Sequence, residues 1–511
     1  MSTYAIARVL PRARARVTPA QTLGGLLVAM VAAALTVFVT GQGTLRGVGV
    51  LIVVAGSAWF VSTTRTPLAL ALLMIYLGAL DGYLKLATGS NLATLVRDVL
   101  LYAIVIGLLV RAAVQGRRLA VPPLTAWVIG FAVLVLVQVA NPDDGSLYHS
   151  FAGVRQNLEF VPLFFLTFAF VRTTKALRVF VVLLVLLAAA NGATNFVQFH
   201  LTPQQLAAWG PGYSERVLGT GQFGFAGRTF YGAVGPALTR PFGLMSDAGS
   251  GGLVCALALG GILALGSMPT RRRYLPLAAA AAVVCVVGIV TSQGRAVVVC
   301  SVVVVLAYVL LTVTTRRAVA TVLGVAAVAA VSFVGVGIVT AGSQSRVFRY
   351  KGVNTSQILA TTEAARGSAI ADIPYNLVHY PLGAGLGVAG PAQSVGGAPA
   401  LAGNVDAETE VSYATLEAGI PGMLVLVGFT IVLFVLGFRR CRREPDPEAR
   451  VLLAAIIGPL GGILALYLVS AVSPTTPCGP YLWAAGGIAA YWLVARPAAL
   501  RQEAASLVAS A

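Results

Sequence analysis

The chain is 511 residues long, 58% hydrophobic and only 10% charged, with a formal net charge of +18 and a mean hydropathy of +0.87. Soluble domains carry roughly 25% charged residues, so the composition excludes a multidomain soluble enzyme and points to a single integral membrane domain over 1–511. The basic surplus could suggest nucleic acid, but its placement along the chain orients helices in a membrane instead, and no nucleic-acid partner is expected.

Taken in chain order, the apolar runs fall at 21–40, 47–63, 66–84, 93–111, 122–140, 156–171, 177–198, 243–267, 274–291, 296–314, 318–341, 412–437, 451–472 and 480–495. Runs of about 16 to 25 residues reach across a hydrocarbon core of roughly 30 Å as helices. The shortest, 156–171 and 480–495, are either tilted, re-entrant or extended by flanking residues. The runs are continuous and lack the alternation of a membrane barrel. The expectation is therefore an all-α polytopic membrane protein with about 14 transmembrane helices (12–14), N-in and C-in. The basic N-terminus leads into an uncleaved first helix, and 497–511 is a short cytoplasmic tail.

With that orientation the inner segments hold 23 of the 35 Lys+Arg and only four of the 17 acids. Arg8, Arg12, Arg14, Arg16, Arg271, Arg272, Arg273, Arg439, Arg440, Arg442 and Arg443 belong to this set. The bias satisfies the positive-inside rule, and these side chains meet anionic headgroups. Of the five cysteines only Cys478 falls in an outer loop, so no external disulfide is expected, and no Cys/His spacing suggests a metal.

Three loops interrupt this pattern on the outer face: 141–155, 199–242 and 342–411. They hold all three histidines, His149, His200 and His379, and most aromatics outside the helices. The 199–242 external loop reads as turns and short elements. In the 342–411 long external loop, 356–380 reads as one or two short amphipathic helices, and Gly383 to Gly403 reads as a mobile flap. A loop of this length with its own ionisable groups is usually functional, so the active site is placed there.

Four groups of residues carry candidate chemistry. Arginines at outer helix ends, Arg97, Arg155, Arg240, Arg295, Arg346, Arg349 and Arg366, either anchor the interface and pair locally (Arg155–Glu159 and Arg97–Asp98) or bind an anion through their planar forks. Asp247, after Arg240-Pro-Phe-Gly, either caps the next helix or serves substrate. His379, at the head of His-Tyr-Pro-Leu-Gly-Ala-Gly-Leu-Gly387, is a general base or a structural histidine. Asp406, Glu408 and Glu410 lie before Glu417-Ala-Gly-Ile-Pro-Gly422; they either complement a helix dipole or supply a carboxylate base.

Arg366, the Pro-Leu-Gly-Ala-Gly-Leu-Gly run, the acidic patch and Glu417-x-Gly-x-Pro-Gly together resemble the O-antigen ligase/polymerase superfamily of bacterial membrane proteins. Gly153-Val-Arg-Gln, Arg240-Pro-Phe-Gly, Ser292-Gln-Gly-Arg295 and Arg97-Asp98 extend the resemblance over roughly residues 90 to 440. It implies a glycosyltransferase of the cytoplasmic (inner) membrane with its active loops outside. A glycan would pass from a polyprenyl-diphosphate donor to an acceptor hydroxyl on another glycan or a lipid, without cofactor or metal, with a chain-length regulator as a possible further partner. Catalysis would fall to His379, Glu408 or Glu410; substrate binding would fall to Arg155, Arg240, Arg295, Arg346, Arg349, Arg366, Asp247 and Glu417. The family's ligases carry a His-Asn pair about nine residues before the Glu-x-Gly turn; here that stretch reads Ala-Glu408-Thr-Glu410, which favours a polymerase. The rival readings are ligase-type transfer and a lipid-linked glycan transporter or flippase. The near absence of central charges in the long spans and the lack of repeated halves argue against transport.

Overall fold

A computed structural model describes residue 56 and residues 66–114, 120–141, 147–219, 229–230, 238–268, 274–312, 372–390, 392 and 409–494. The expected spans at 21–40, 47–63 and 318–341, the 497–511 tail, and Arg346, Arg349, Arg366, Asp406 and Glu408 lie outside the described residues. Among the described residues the regular structure is helical, apart from one two-residue antiparallel pairing of β1 (Thr229–Phe230) with β2 (Leu238–Thr239).

The first half contains α1 (Thr66–Ile75), a π-helical turn at Tyr76–Leu80, α2 (Asp81–Thr88), α3 (Leu92–Val114), α4 (Thr125–Val137), α5 (Leu147–Leu158), α6 (Pro162–Phe170) and α7 (Thr174–His200). After the short α8 (Pro203–Ala207) and α9 (Pro211–Leu218) come α10 (Ser250–Ser267), α11 (Leu275–Thr291) and α12 (Arg295–Thr312). The helix α13 covers 372–379. It is followed by α14 (Glu410–Arg442), α15 (Pro447–Leu466) and α16 (Cys478–Val494).

Seven of these helical stretches are long and apolar enough to cross a membrane, by length and composition. Their outward faces are apolar as well: Ile106, Leu109, Val302, Leu306, Leu310 and Leu424 are about half exposed or more. In water such a surface would be an aggregation hazard; in lipid it is the expected exterior. This is the architecture of a membrane protein.

The helices pack around one continuous apolar core. Within it α12 lies along α15, α7 along α10 and α11, and α6 along α16. Small residues let backbones approach, since lipid supplies no hydrophobic drive between helices. At the crossing of α7 and α11, a Cβ on Gly288 would sit 2.5 Å from the Gly192 Cα.

One expected span is corrected. The 156–171 run is no single helix: α5 ends at Leu158, Glu159 to Val161 form a break, and the nine-residue α6 starts at Pro162. The break holds a buried charged group, Glu159, whose partners lie on other helices. Proline at the first position then suits a new helix start.

Candidate functional site

Charged pairs occur at both ends of the bundle, Arg178–Glu448 and Arg440–Glu444 among them at one; the candidate site residues lie at the other, where α3, α10, α12, α14 and α16 begin and α7, α11 and α15 finish. Three groups can be built there from the residues upward.

The first is the glycine-rich loop and the kink in α14. The α14 helix starts at Glu410, with Thr409 as N-cap accepting from Ser412 N. It is interrupted at Gly419, whose φ of 68° and ψ of −178° are not helical, two residues before Pro421. Proline cannot donate to the carbonyl four residues back, so a kink here is expected. The loop fills the break: Ala384 N donates to Leu416 O at 2.7 Å, and Ile420 N donates to Pro381 O at 2.9 Å. Glu417-x-Gly-x-Pro-Gly therefore spans the junction of two helical segments: the second opens just after Gly419 with Pro421 in its first turn, and the loop is received at the kink between them.

Glu417 is wholly buried. Its Oε2 accepts from Gly387 N at 2.9 Å and Asn157 Nδ2 at 3.0 Å, and its Oε1 accepts from Ala389 N at 2.9 Å. Three residues after Glu410, the Tyr413 hydroxyl receives a bond from Gln156 Nε2 at 2.7 Å and donates to Asn157 Oδ1 at 3.0 Å. Gln156 also holds Ala389 O and Ala392 N. Glu410, Tyr413 and Glu417 follow i, i+3, i+7 spacing and share one helix face. The expectation of a mobile flap fails for 383–390. That segment is buried from Gly383 to Ala389 and bonded on both sides. Gly387 has φ +77°, and a Cβ there would lie 2.8 Å from His149 Nε2. Gly153 of α5 is equally tight, with its Cβ position 2.6 Å from Gly387 N.

Glu410 is also fully buried and has a different task. Its Oε2 accepts from Val472 N at 2.6 Å and Ser473 N at 2.9 Å, and Ser473 Oγ donates to Oε1. It closes the turn between α15 and α16. His379 differs from both. It is exposed at the end of α13, its ring stacked on Tyr375 at 3.8 Å. Its Nδ1 lies 2.9 Å from Tyr375 O. A carbonyl only accepts, so in the neutral ring Nδ1 carries the proton and Nε2 the lone pair.

The second group is a buried ion network. Arg97 reaches Asp98 Oδ1 through Nε at 3.2 Å, Asp81 Oδ2 through Nη1 at 3.1 Å, and Glu159 Oε2 through Nη2. Arg155 gives Nε to Asp98 Oδ2 at 2.6 Å. The local Arg97–Asp98 pair is thus present, but Arg155 turns to Asp98 and not to Glu159. Asp81 and Arg97 belong to two of the membrane-length stretches, Pro67–Thr88 and Ala93–Ala113, lie toward the ends of those stretches, and are 5% and 6% exposed.

The third group surrounds Arg240 and Arg295. Three polar residues of α7, Asn191, Asn195 and Gln198, fix the preceding turn. Gln198 Oε1 accepts from Phe242 N and Gly243 N, and Asn191 Oδ1 accepts from Leu244 N at 3.0 Å. Asn195 holds Gly288 O of α11. This carries Arg240 to the start of α10: a Cβ on Gly249 would lie 2.9 Å from its Nη2. The start of α12 adjoins, since a Cβ on Gly252 would lie 2.5 Å from Ser292 Cβ. Arg295 is the first residue of α12. Asp247 does not cap α10 through its side chain, because the N-cap is Gly249; its carboxylate lies 3.7 Å from Arg216 of α9. Beside them, burial against Trp209 and Phe242 pushes the Tyr213 phenol well above the usual tyrosine range.

The groups adjoin. A Cβ on Gly82, next to Asp81, would lie 2.4 Å from the Met245 backbone. Asn157, Gln156 and Arg155 are consecutive on α5 and reach the loop on one side and the ion network on the other. Sequence reading missed Asp81, Gln156, Asn157 and the α7 stripe. The stripe had a signal: Asn191, Asn195 and Gln198 recur at helical spacing in an otherwise apolar run.

Among the described residues no group of three or more His, Cys, Asp and Glu is placed to hold a metal ion. No family model matches the chain, and no curated protein matches its sequence.

Proposed function

We propose that this protein is a membrane glycosyltransferase. It would transfer or polymerise a glycan from a polyprenyl-diphosphate carrier onto an acceptor hydroxyl at the outer face of the bacterial cytoplasmic membrane, with a polymerase favoured over a ligase. The observation that carries the reading is the placing of Arg240 at the start of α10 and of Arg295 at the adjoining start of α12. A helix start carries partial positive charge and suits an anion. Two helix starts and two guanidinium groups suit a diphosphate, whose charge grows as it leaves. Arg155, a third exposed, would add a further contact.

Transfer also needs a base for the acceptor hydroxyl. Glu410 and Glu417 have their oxygens turned to backbone N–H groups, which leaves His379 the better candidate among the described residues. Glu417 then serves the reaction by fixing the loop that follows His379. The family resemblance of the sequence motifs supports the same reading.

A second reading, transport of a lipid-linked glycan, is favoured by the buried ion network, since ionisable groups within membrane helices often mark transport paths. A deletion strain complemented with wild type, Arg295→Ala or His379→Ala at matched expression separates the two. Transfer predicts lost long chains and accumulated lipid-linked units on the outer face, unrestored by either variant. Transport predicts lipid-linked units trapped on the inner face. An unchanged glycan profile in the deletion strain contradicts both.

A further inference from the structure

The ion network is unbalanced. Asp81, Asp98 and Glu159 bring three carboxylates, while Arg97 and Arg155 bring two guanidinium groups. Arg97 is fully committed, with Nε, Nη1 and Nη2 each on a different acid. The side chains of Arg97, Asp81 and Glu159 are only 7–8% exposed. One oxygen, Asp81 Oδ1, is buried with no hydrogen-bond partner among the described residues. A buried anionic oxygen without a donor is costly, and a surplus buried charge more so. A neutral hydroxyl in the same place costs less.

We propose that this network is a proton-binding site: at neutral pH it holds one bound proton, which brings its charge into balance with the two guanidinium groups.

Tyr76, Tyr102 and Tyr413 also face the acids. Lys85 of α2 is the one further cation near Asp81 among the described residues, and it also faces Arg216 and Asp247. The Phe160 ring lies 5.0 Å from the Arg97 guanidinium and closes the network on that side. Buried carboxylates bound to protons are well precedented where charge cannot be matched. The proposal is independent of the transfer reading, because it rests on the charge count and the orphaned oxygen alone.

Infrared spectroscopy on the full chain in lipid nanodiscs tests it through the carbonyl stretch of a protonated carboxylic acid. The wild type should show this band at neutral pH and lose it on strong alkalinisation. Glu159→Gln and Asp81→Asn should each abolish it, because either change alone leaves two acids facing two arginines. Both variants should melt no lower than wild type, and Asp98→Asn offers a third route to the same balance if one of them fails to fold. Lys85→Met should leave the band in place. Absence of the band in wild type would overturn the proposal and make Lys85 the balancing charge. A band that survives both substitutions would assign the proton elsewhere and overturn it equally.

Discussion

Glu410 and Glu417 on one side, and Asp81, Glu159 and the partly buried Asp98 on the other, are carboxylates at the same end of the bundle, but their charges are met differently. The first pair is held by donors from backbone N–H groups, a serine hydroxyl and an asparagine amide. The second set is held by arginines. Neutral donors fix the shape of a loop: Glu417 sets the path of Gly387 to Ala389, and Glu410 sets the α15–α16 turn. Guanidinium groups instead tie α2, α3 and α5 to each other and keep charge inside the bundle. An acidic residue near a membrane surface therefore has to be judged by its donors and not by its presence.

Substitutions can separate the two sets. Arg97→Gln should have the largest effect, because the buried Asp81 and Glu159 lose their arginine partner and Asp98 loses one of two; removing one side of a buried pair costs roughly 3–5 kcal/mol. Thermal unfolding in detergent and the folded yield read it directly. Glu417→Gln should cost about 1.5–3 kcal/mol, since an amide nitrogen would face backbone donors where an oxygen accepted them. Its distinctive readout is faster hydrogen exchange at Gly387 and Ala389, with the ion network unaffected. Tyr413→Phe removes the hydroxyl bridging Gln156 and Asn157 and should cost about 1–2 kcal/mol; a double mutant with Glu417→Gln should be less than additive, because both act on the same loop. Thr173→Ala removes the side chain that caps α7 at Ala176 N, far from both sets, and should cost about 1 kcal/mol without changing exchange in the loop. If Arg97→Gln proved milder than Glu417→Gln, the contrast drawn between the two sets would fail.

Much of the helix layout was legible in the sequence. The runs at 93–111, 177–198 and 296–314 match α3, α7 and α12 to within a few residues, because apolar length is a local property. The break at Glu159 was not legible. Its cause is a partner 62 residues away in sequence, and the i,i+4 spacing to Arg155 offered a simpler local pairing. The glycine-rich stretch misled for a similar reason: its composition reads as mobile, yet its order comes from Glu417 and Gln156, which lie on other elements. In the candidate site, the Arg240 and Arg295 motifs were readable as motifs. Their juxtaposition depends on the Asn191, Asn195 and Gln198 stripe, which acts across space.

The proposed transfer is best tested by reconstituting the purified full chain in proteoliposomes with a polyprenyl-diphosphate-linked repeat unit, following glycan length and released polyprenyl diphosphate by mass spectrometry. A transferase should yield longer lipid-linked chains with stoichiometric release of the carrier, lost in Arg295→Ala protein that still melts like wild type. Redistribution of the intact donor between leaflets, with no new glycosidic bond, would refute transfer and establish transport in its place.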